Sequence, residues 1–216
     1  MIIACLFVTC LLISNIIAGR LITVYGLVLP AAVILFPLTY IFGDVLTEVY
    51  GFKKARLVIW TGFACNLLMA AVFIGVAAFP APSFWEGKQA YAAVLGLTPR
   101  MVAASLAAYF IGEWSNAVLL SRMKIWTAGR WLWMRTIGST VVGEGLDTVI
   151  FVSLAFAGSV PEPVWGQMIL AQYLWKVSYE VVITPFTYAV VSYLKQKENI
   201  DAFDYGVRYN PFKLNF

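Results

Sequence analysis

The sequence predicts an all-α integral membrane protein with six transmembrane helices. Of the 216 residues, 62% are apolar and only 12% are charged, whereas a soluble domain carries roughly 25% charged residues. The mean hydropathy is +0.83, and apolar runs of the roughly 20 residues needed to cross a bilayer recur along the chain. We therefore expect one transmembrane domain, residues 1–194, and a C-terminal tail, residues 195–216.

The six spans are predicted near residues 2–18, 22–43, 57–79, 101–121, 136–158 and 166–193. The first lacks the basic leader and the small-residue cleavage site of a signal peptide, so we interpret it as a span. Pro80 and Pro82 end the third span, and the segment SVPEPVWG separates the fifth from the sixth.

Lysine and arginine are distributed unevenly between the two sets of predicted loops. Eleven cations fall on one side: Lys53, Lys54, Arg56, Arg122, Lys124, Arg130, Arg135, Lys195, Lys197, Arg208 and Lys213. Three fall on the other side: Arg20, Lys88 and Arg100. Because cytoplasmic loops carry the excess of Lys and Arg, both termini are expected to be cytoplasmic. This distribution of cations is typical of a protein embedded in the lipid bilayer, and it explains the net charge of +4. No nucleic-acid partner is therefore expected.

Five ionisable side chains fall near the middle of predicted spans: Glu113, Glu144, Asp147, Lys176 and Glu180. A charged side chain at the bilayer centre costs about 2.5–3.5 kcal/mol on insertion scales. Five unpaired ones would cost on the order of 15 kcal/mol, which rivals the stability of a whole domain. We therefore expect them to face one another, a ligand or water, and to form a substrate-binding site.

Helical spacing supports this convergence. The sixth span carries a polar stripe with a period of four, made of Gln172, Lys176, Glu180 and Thr184. Thr140, Glu144 and Asp147 share a face of the fifth span, and Glu113 and Asn116 share a face of the fourth. Trp114 and Trp175 are the direct neighbours of these charges and offer flat apolar surfaces. Lys176 and Glu180 are interpreted either as an ion pair within one helix or as part of the site.

Asp44 and Glu48 also lie four residues apart, within FPLTYIFGDVLTEVYG. If a helix continues through them, the two acids share one face, where like charges repel. Their position at the end of the second span favours an interfacial helix end answered by Lys53 and Lys54. A binding site or gate is the alternative.

Missing residues exclude or disfavour several function classes. The chain has no histidine, which removes histidine catalysis and histidine metal sites. Cys5, Cys10 and Cys65 have no paired spacing, so neither a disulfide nor a metal centre is expected. No phosphate-binding loop is present, so the chain is not expected to hydrolyse ATP. An intramembrane aspartyl protease is a weak alternative, because IFGD lacks the first glycine of the usual motif. We expect no enzyme, and no catalytic residue, cofactor or metal.

Ala104, Ala108 and Gly112 repeat every four residues on the fourth span. Small residues let membrane helices approach closely. We interpret this stripe as packing within the chain, with a homodimer contact as the alternative.

Four stretches together resemble the queuosine precursor transporter family, which is also grouped as a vitamin-uptake type: FPLTYIFGDVLTEVYG, GEWSNAVLLSRMK, RTIGSTVVGEGLDTVIF and YLWKVSYEVVITPFTYAVVSYLK. The ending IDAFDYGVRYNPF is similar too. The resemblance implies a six-helix protein of the bacterial inner membrane that imports 7-deazaguanine precursors for tRNA modification. These are the 7-cyano form, the 7-aminomethyl form and queuine. It also implies that Asp44 and Glu48 belong to a site or gate.

The same family is similar to the substrate-binding subunits of energy-coupling-factor importers, which work with a separate ATPase. Such subunits usually carry an A-x-x-x-A docking pattern on the first helix, whereas this first span has only Ala4 and Ala18. A solitary secondary transporter is therefore favoured, and a subunit of an ATP-driven importer is the alternative.

For a 7-deazaguanine substrate, one carboxylate can accept the ring N–H and the exocyclic amine together. Glu144 or Asp147 is expected to hold this base edge, with Trp114 or Trp175 stacked on the ring. Lys176 and Glu180 then orient the pocket. If uptake is coupled to protons, the expected carrier is Glu113 or whichever buried acid does not hold the base.

Overall fold

The computed structural model describes residues 1–24, 27–95, 99–156, 158 and 162–212. It consists mainly of helices: α1 (Ile2–Ile17), α2 (Phe36–Tyr50), α3 (Phe52–Ala78), α4 (Lys88–Leu95), α5 (Pro99–Trp126), α6 (Leu132–Phe156) and α7 (Glu162–Glu198). Among the described residues, four helical segments are long and apolar enough to cross a membrane, and they contain α3, α5, α6 and α7. The helix α1 is apolar but shorter, with 16 residues. The predicted all-α membrane class is thereby confirmed.

The predicted second span, residues 22–43, is wrong. Residues Leu21–Val24 (β1) and Leu27–Pro30 (β2) pair as antiparallel strands, with Leu21 opposite Pro30. The β-branched residues of LITV favour extended backbone, and Pro30 cannot donate the hydrogen bond that a helix interior requires. A 3-10 turn, Ala31–Ile34, follows the strands, so that α2 begins only at Phe36.

The helix α2 continues beyond the predicted span end to Tyr50. Gly51 ends it with a φ of 82°, a left-handed conformation that glycine adopts without steric cost. The next helix, α3, begins at Phe52, whose backbone N–H donates to Oδ2 of Asp204 at 2.8 Å. A carboxylate at the start of a helix accepts from a backbone N–H that has no partner within the helix. Its negative charge also interacts favourably with the positive end of the helix dipole. A residue from the far end of the chain therefore completes the α2–α3 turn.

The helices α5 and α6 approach each other closely at two glycines. A Cβ added to Gly112 would lie 2.9 Å from the carbonyl oxygen of Gly143, and one added to Gly143 would lie 3.0 Å from the carbonyl oxygen of Gly112. Ala104 and Ala108, on the same face of α5, are buried. The small-residue stripe thus packs within the chain, as predicted, and it is not available as a dimer surface.

The two ends of the helix bundle carry different structures. The strand side carries β1 and β2, and the opposite end, the tail side, carries residues 199–212 after α7. Trp60 of α3 donates its indole N–H to the carbonyl oxygen of Pro211 at 2.9 Å. Lys124 of α5 donates to the carbonyl oxygen of Ala202 at 2.7 Å. The tail is therefore bound to the bundle along its length.

Candidate functional site

Lys176 of α7 lies inside the bundle and binds two acids of α6. Its Nζ is 2.6 Å from Oδ2 of Asp147 and 2.7 Å from Oε2 of Glu144. It also donates to Oγ1 of Thr148 at 3.3 Å. The same nitrogen lies 4.5 Å from the ring centroid of Phe36, which is a cation–π distance. The three charged side chains are at most 5% exposed, so their charges are withdrawn from water.

The predicted ion pair between Lys176 and Glu180 is wrong. Lys176 pairs with Glu144 and Asp147 instead, and in the described part of the chain Glu180 makes no ion pair with it. Glu144 and Asp147 are neighbours on one helix face and repel each other unless a cation lies near both. The ammonium group of Lys176 meets that need from the facing helix.

Burial confirms the predicted polar faces. Every member is at most 6% exposed: Gln172, Lys176, Glu180 and Thr184 on α7; Thr140, Glu144 and Asp147 on α6; Glu113 and Asn116 on α5. The charges in the predicted spans thus face the interior of the bundle rather than lipid.

Asp44 enters the same interior from α2. Its Oδ1 accepts a hydrogen bond from Nδ2 of Asn116 at 2.7 Å, and its side chain is fully buried. It also lies within electrostatic reach of Glu180 and Glu113. Asp44 is therefore part of the buried polar interior and not of a helix end at the surface.

Glu113 packs directly on the backbone of α2. A Cβ added to Gly43 would overlap Oε1 of Glu113, so this position leaves room for the carboxyl group only because it is glycine. Glu113 is fully buried, and neither of its oxygens has a hydrogen-bond partner among the described residues. Because buried polar groups are almost always paired, this arrangement points to a function rather than to stability.

We call Asp44, Glu113, Glu144, Asp147 and Glu180 the central acidic cluster. In the part of the chain that the structure describes, Lys176 is the cation that pairs with it. One oxygen each of Asp44 and Glu180 also lacks a hydrogen-bond partner there. Five ionised carboxylates against one ammonium group would leave a large excess of negative charge, at a cost of several kcal/mol for each buried ion. The cluster is therefore suited to bind protons or a ligand that donates hydrogen bonds.

A small, partly open cavity lies on the strand side of this cluster. Asp147 and Lys176 form its charged part, and Phe36 and Phe151 supply aromatic rings. The remaining lining consists of Ser14, Asn15, Ala18, Pro30, Ala32, Val33, Ser105, Ala108 and Gln172. Mostly apolar walls with a few convergent polar groups are typical of small-molecule sites. The lining therefore makes this cavity the candidate site for a flat ligand with one polar edge.

The predicted site residues divide between the cavity and the cluster behind it. Asp147 and Lys176 line the cavity, whereas Trp114 and Trp175 do not. Trp114 packs at 5.0 Å from Phe52 in an edge-on contact. Trp175 donates its indole N–H to the carbonyl oxygen of Val33 at 3.2 Å. The aromatic surfaces available to a ligand are thus those of the two lining phenylalanines.

Sequence reasoning missed the polar residues contributed by α1 and the start of α5. Ser14 and Asn15 line the cavity, and Ser105 donates to Oδ1 of Asn15 at 2.5 Å. The adjacent Ser14 and Asn15 interrupt the first apolar run, and this was the signal that could have identified them. Phe36 and Phe151 carried no such signal, because aromatic residues are common in apolar spans.

Glu48 belongs to a separate group on the tail side. Its Oε1 lies 2.9 Å from Nη2 of Arg135 and 2.7 Å from Nζ of Lys195, and its Oε2 accepts from Nε of Arg135 at 3.2 Å. Lys124 lies 3.6 Å from the same carboxylate. The expected partners Lys53 and Lys54 are exposed, so that interpretation is wrong. Three other helices supply the cations instead.

Asp201 of the tail completes this group. Its Oδ1 lies 2.6 Å from Nζ of Lys124 and 2.9 Å from Nζ of Lys195. Partial burial acts to raise the pKa of the Asp201 carboxyl group, but hydrogen bonds from both lysines outweigh it and lower that pKa below its usual value. We call Glu48, Lys124, Arg135, Lys195 and Asp201 the tail-side lock, since it joins α2, α5, α6, α7 and the tail.

Comparison with known families places the cluster inside a matched region. A family model described as "Putative vitamin uptake transporter" matches residues 30–190. This range contains the whole central acidic cluster and Lys176, whereas Lys195 and Asp201 of the tail-side lock lie beyond it. No solved structure matches the chain.

Several bacterial proteins are similar over most of the chain. One from Bacillus subtilis (strain 168), named "Probable queuosine precursor transporter", is 29% identical over 186 residues, which cover 86% of this chain and 81% of that protein. The "Queuosine precursor transporter" of Escherichia coli (strain K12) is 26% identical over 160 residues, 72% of this chain and 69% of that protein. A Haemophilus influenzae protein, also named "Probable queuosine precursor transporter", is 24% identical over 162 residues, 72% and 65% of the two chains.

Proposed function

The chain belongs to the family described as "Putative vitamin uptake transporter", and we propose that it imports queuosine precursors of the 7-deazaguanine class across the bacterial plasma membrane. The names of the similar bacterial proteins support this substrate class. The observation that carries the proposal is the pair of Asp147 and Lys176, 2.6 Å apart, in an otherwise largely apolar cavity. We propose that the protein acts as a transporter and not as an enzyme.

The Asp147–Lys176 pair complements the edge of a guanine-type base. Such an edge presents a carbonyl oxygen beside a ring N–H and an exocyclic amine. Asp147 can accept from the two donors, while Lys176 donates to the carbonyl oxygen, as lysine does to guanine in nucleic-acid recognition. A base without these donors would leave the Asp147 carboxylate with only its bond to Lys176, and the lost hydrogen bonds to a charged group would weaken binding. The pair thus provides affinity and selectivity together.

Phe36 and Phe151 support the flat part of the same ligand. Both rings line the cavity that Asp147 and Lys176 enter. Stacking of a base on an aromatic side chain contributes about 1–3 kcal/mol in nucleic-acid systems. We propose that these rings take the role that the sequence had suggested for Trp114 or Trp175.

The membrane orientation follows from the charges. Lys124, Arg135 and Lys195 of the tail-side lock belong to the cation-rich set, so we propose that the tail side faces the cytoplasm. The cavity on the strand side then receives substrate from outside. The finer arrangement that we propose has six membrane helices, with α1 and α2 as the two shorter ones, and cytoplasmic termini.

The test is uptake by proteoliposomes that contain only this protein. We expect uptake of 7-cyano-7-deazaguanine, 7-aminomethyl-7-deazaguanine or queuine without any ATPase subunit, and loss of uptake in Asp147→Asn. The control is Glu86→Gln, the same kind of change at an exposed acid outside the cavity. Absence of uptake of all three compounds by the folded wild-type protein would contradict the proposal. Uptake that requires an added ATPase would identify an energy-coupling-factor subunit instead.

A further inference from the structure

We propose that this chain couples import to proton movement and that Glu113 is the group that carries the proton. This inference rests on the proposed import function and adds its driving force. Glu113 lies behind the cavity, not in its lining. It is fully buried, and both of its carboxyl oxygens lack a hydrogen-bond partner among the described residues. A permanently ionised group would be held by donors, as Glu48 is by Arg135 and Lys195.

The surroundings of Glu113 favour binding of a positive charge. The titratable groups that face it or its neighbours come from α2, α3, α5 and α6: Tyr40, Asp44, Cys65, Tyr109, Glu144 and Asp147. From α7, Glu180 lies within electrostatic reach of Asp44 and Glu144, and Lys176 pairs with Glu144 and Asp147. The hydroxyl group of Tyr40 is also buried without a partner in the described structure. Proton binding by Glu113 therefore relieves repulsion among several buried acids.

A proton suits this site better than a metal ion. Hard cations such as Ca²⁺ take six to eight oxygen ligands, and other metals also need several ligands that converge at fixed distances. In the described part of the chain, no three Asp, Glu or Cys side chains are arranged to hold a metal ion. A proton needs only one carboxylate oxygen.

The helix α2 connects the proton site to the tail-side lock. Glu113 packs on Gly43 of α2, and Glu48, five residues further on, is the centre of the lock. In the proposed step the Glu113 carboxylate takes one proton from the strand side, forming an O–H bond. The proton comes from a hydronium ion, which becomes water as its O–H bond breaks. The new O–H bond of Glu113 breaks in turn when the proton passes to a water molecule on the tail side. Ionised Glu113 restores repulsion toward Asp44 on α2, so its charge biases the position of the helix that bears Glu48.

The test compares two transport modes in proteoliposomes, with 7-cyano-7-deazaguanine as the probe. Counterflow, the exchange of labelled for unlabelled substrate, reports transport without a driving force. Accumulation under an inward proton gradient reports coupling. A gradient of one pH unit is worth about 1.4 kcal/mol per proton, so coupled wild-type protein should accumulate substrate about tenfold.

We expect Glu113→Gln to retain counterflow and to lose this gradient-driven accumulation. Glu86→Gln, at an exposed acid, should retain both. A second variant, Glu113→Asp, keeps an ionisable group, and its uptake should have a pH midpoint different from that of the wild type. This variant provides the test if Glu113→Gln fails to fold.

The outcomes separate the two proposals. Counterflow without any effect of the proton gradient would overturn proton coupling and leave the import function intact. Accumulation driven by a sodium gradient, or gradient-driven accumulation by Glu113→Gln, would also overturn it. An unchanged pH profile in Glu113→Asp would exclude Glu113 as the carrier. Absence of counterflow in wild type would overturn the import function itself.

Discussion

Oε1 of Glu48 in α2 lies 2.9 Å from Nη2 of Arg135 in α6, and both side chains are 1% exposed. This bridge crosses the bundle between the central acidic cluster and the tail. Lys195 and Lys124 surround the same carboxylate, so one acid joins four helices. The tail-side lock and the cavity on the strand side thus lie at opposite ends of the bundle, an arrangement that fits one state of the proposed importer.

Arg135→Met should strongly destabilise the folded protein. The change leaves Glu48 buried with less positive charge, and breaking a buried ion pair typically costs about 3–5 kcal/mol. Thermal unfolding in detergent measures the effect. The matched control is Lys53→Met, an exposed cation near the same end of the bundle, which should change stability by no more than about 0.5 kcal/mol. Equal losses in both variants would show that the bridge is not structural.

Lys176→Met should destabilise the protein more than Glu180→Gln. Lys176 is bound to two carboxylates, so its removal leaves both Glu144 and Asp147 without a cation. Glu180 has no ion pair with Lys176 in the structure. Its replacement by glutamine therefore leaves Lys176 with both of its carboxylate partners. Unfolding of the two variants in the same detergent gives the comparison. Losses of equal size would restore Glu180 as the partner of Lys176.

Asp147→Asn should change selectivity as well as affinity. The amide places an N–H group opposite the donors of the base, and loss of a charged hydrogen bond costs about 1.5–3 kcal/mol. Binding is measured for a 7-deazaguanine and for the matching compound without the exocyclic amine. The variant should lose more affinity for the first compound than for the second. If both affinities fall equally, Asp147 does not read the amine.

Phe36→Leu should weaken ligand binding by about 1–3 kcal/mol, because stacking on an aromatic ring is lost. Trp114→Phe provides the control, since Trp114 packs against Phe52 and Phe110 and does not line the cavity. Its effect should fall on stability and not on the dissociation constant. Isothermal calorimetry measures the ligand dissociation constant of both variants. A larger loss of affinity in Trp114→Phe than in Phe36→Leu would show that the tryptophan stacks on the ligand.

Docking of the tail should not depend on pH in the range where uptake is measured. The pKa of Asp201 is lowered on folding, so its contribution is complete above the unfolded pKa of about 3.9 and is lost only as pH falls through the lower folded value. Limited proteolysis of the tail should therefore give the same rate at about pH 5 and about pH 8. A faster rate at the lower pH would implicate another titrating group in the lock.

The sequence predicted well what depends on local spacing. Burial of the stripe from Gln172 to Thr184 follows from a period of four on one helix. The partner of Lys176 could not be predicted in this way, because it depends on which face of α6 meets α7. The contact between Phe52 and Asp204 joins residues 152 positions apart, and no local sequence pattern predicts such a contact. The prediction of a span over Leu21–Val24 and Leu27–Pro30 was wrong for a different reason. Short apolar strands and apolar helices have similar composition, so composition does not distinguish them.

The position of the tail also sets an order of events during biosynthesis. Residues 199–212 leave the ribosome after every helix, yet they supply the acceptors for Trp60 and Lys124 and the carboxylate at the start of α3. Until then, the nascent bundle presents unsatisfied donors and a partly uncompensated group of cations on its tail side. A chain cut off before residue 199 would keep all of its helices and still lack this last closure. The final fold of the tail side therefore depends on the last residues to be synthesised.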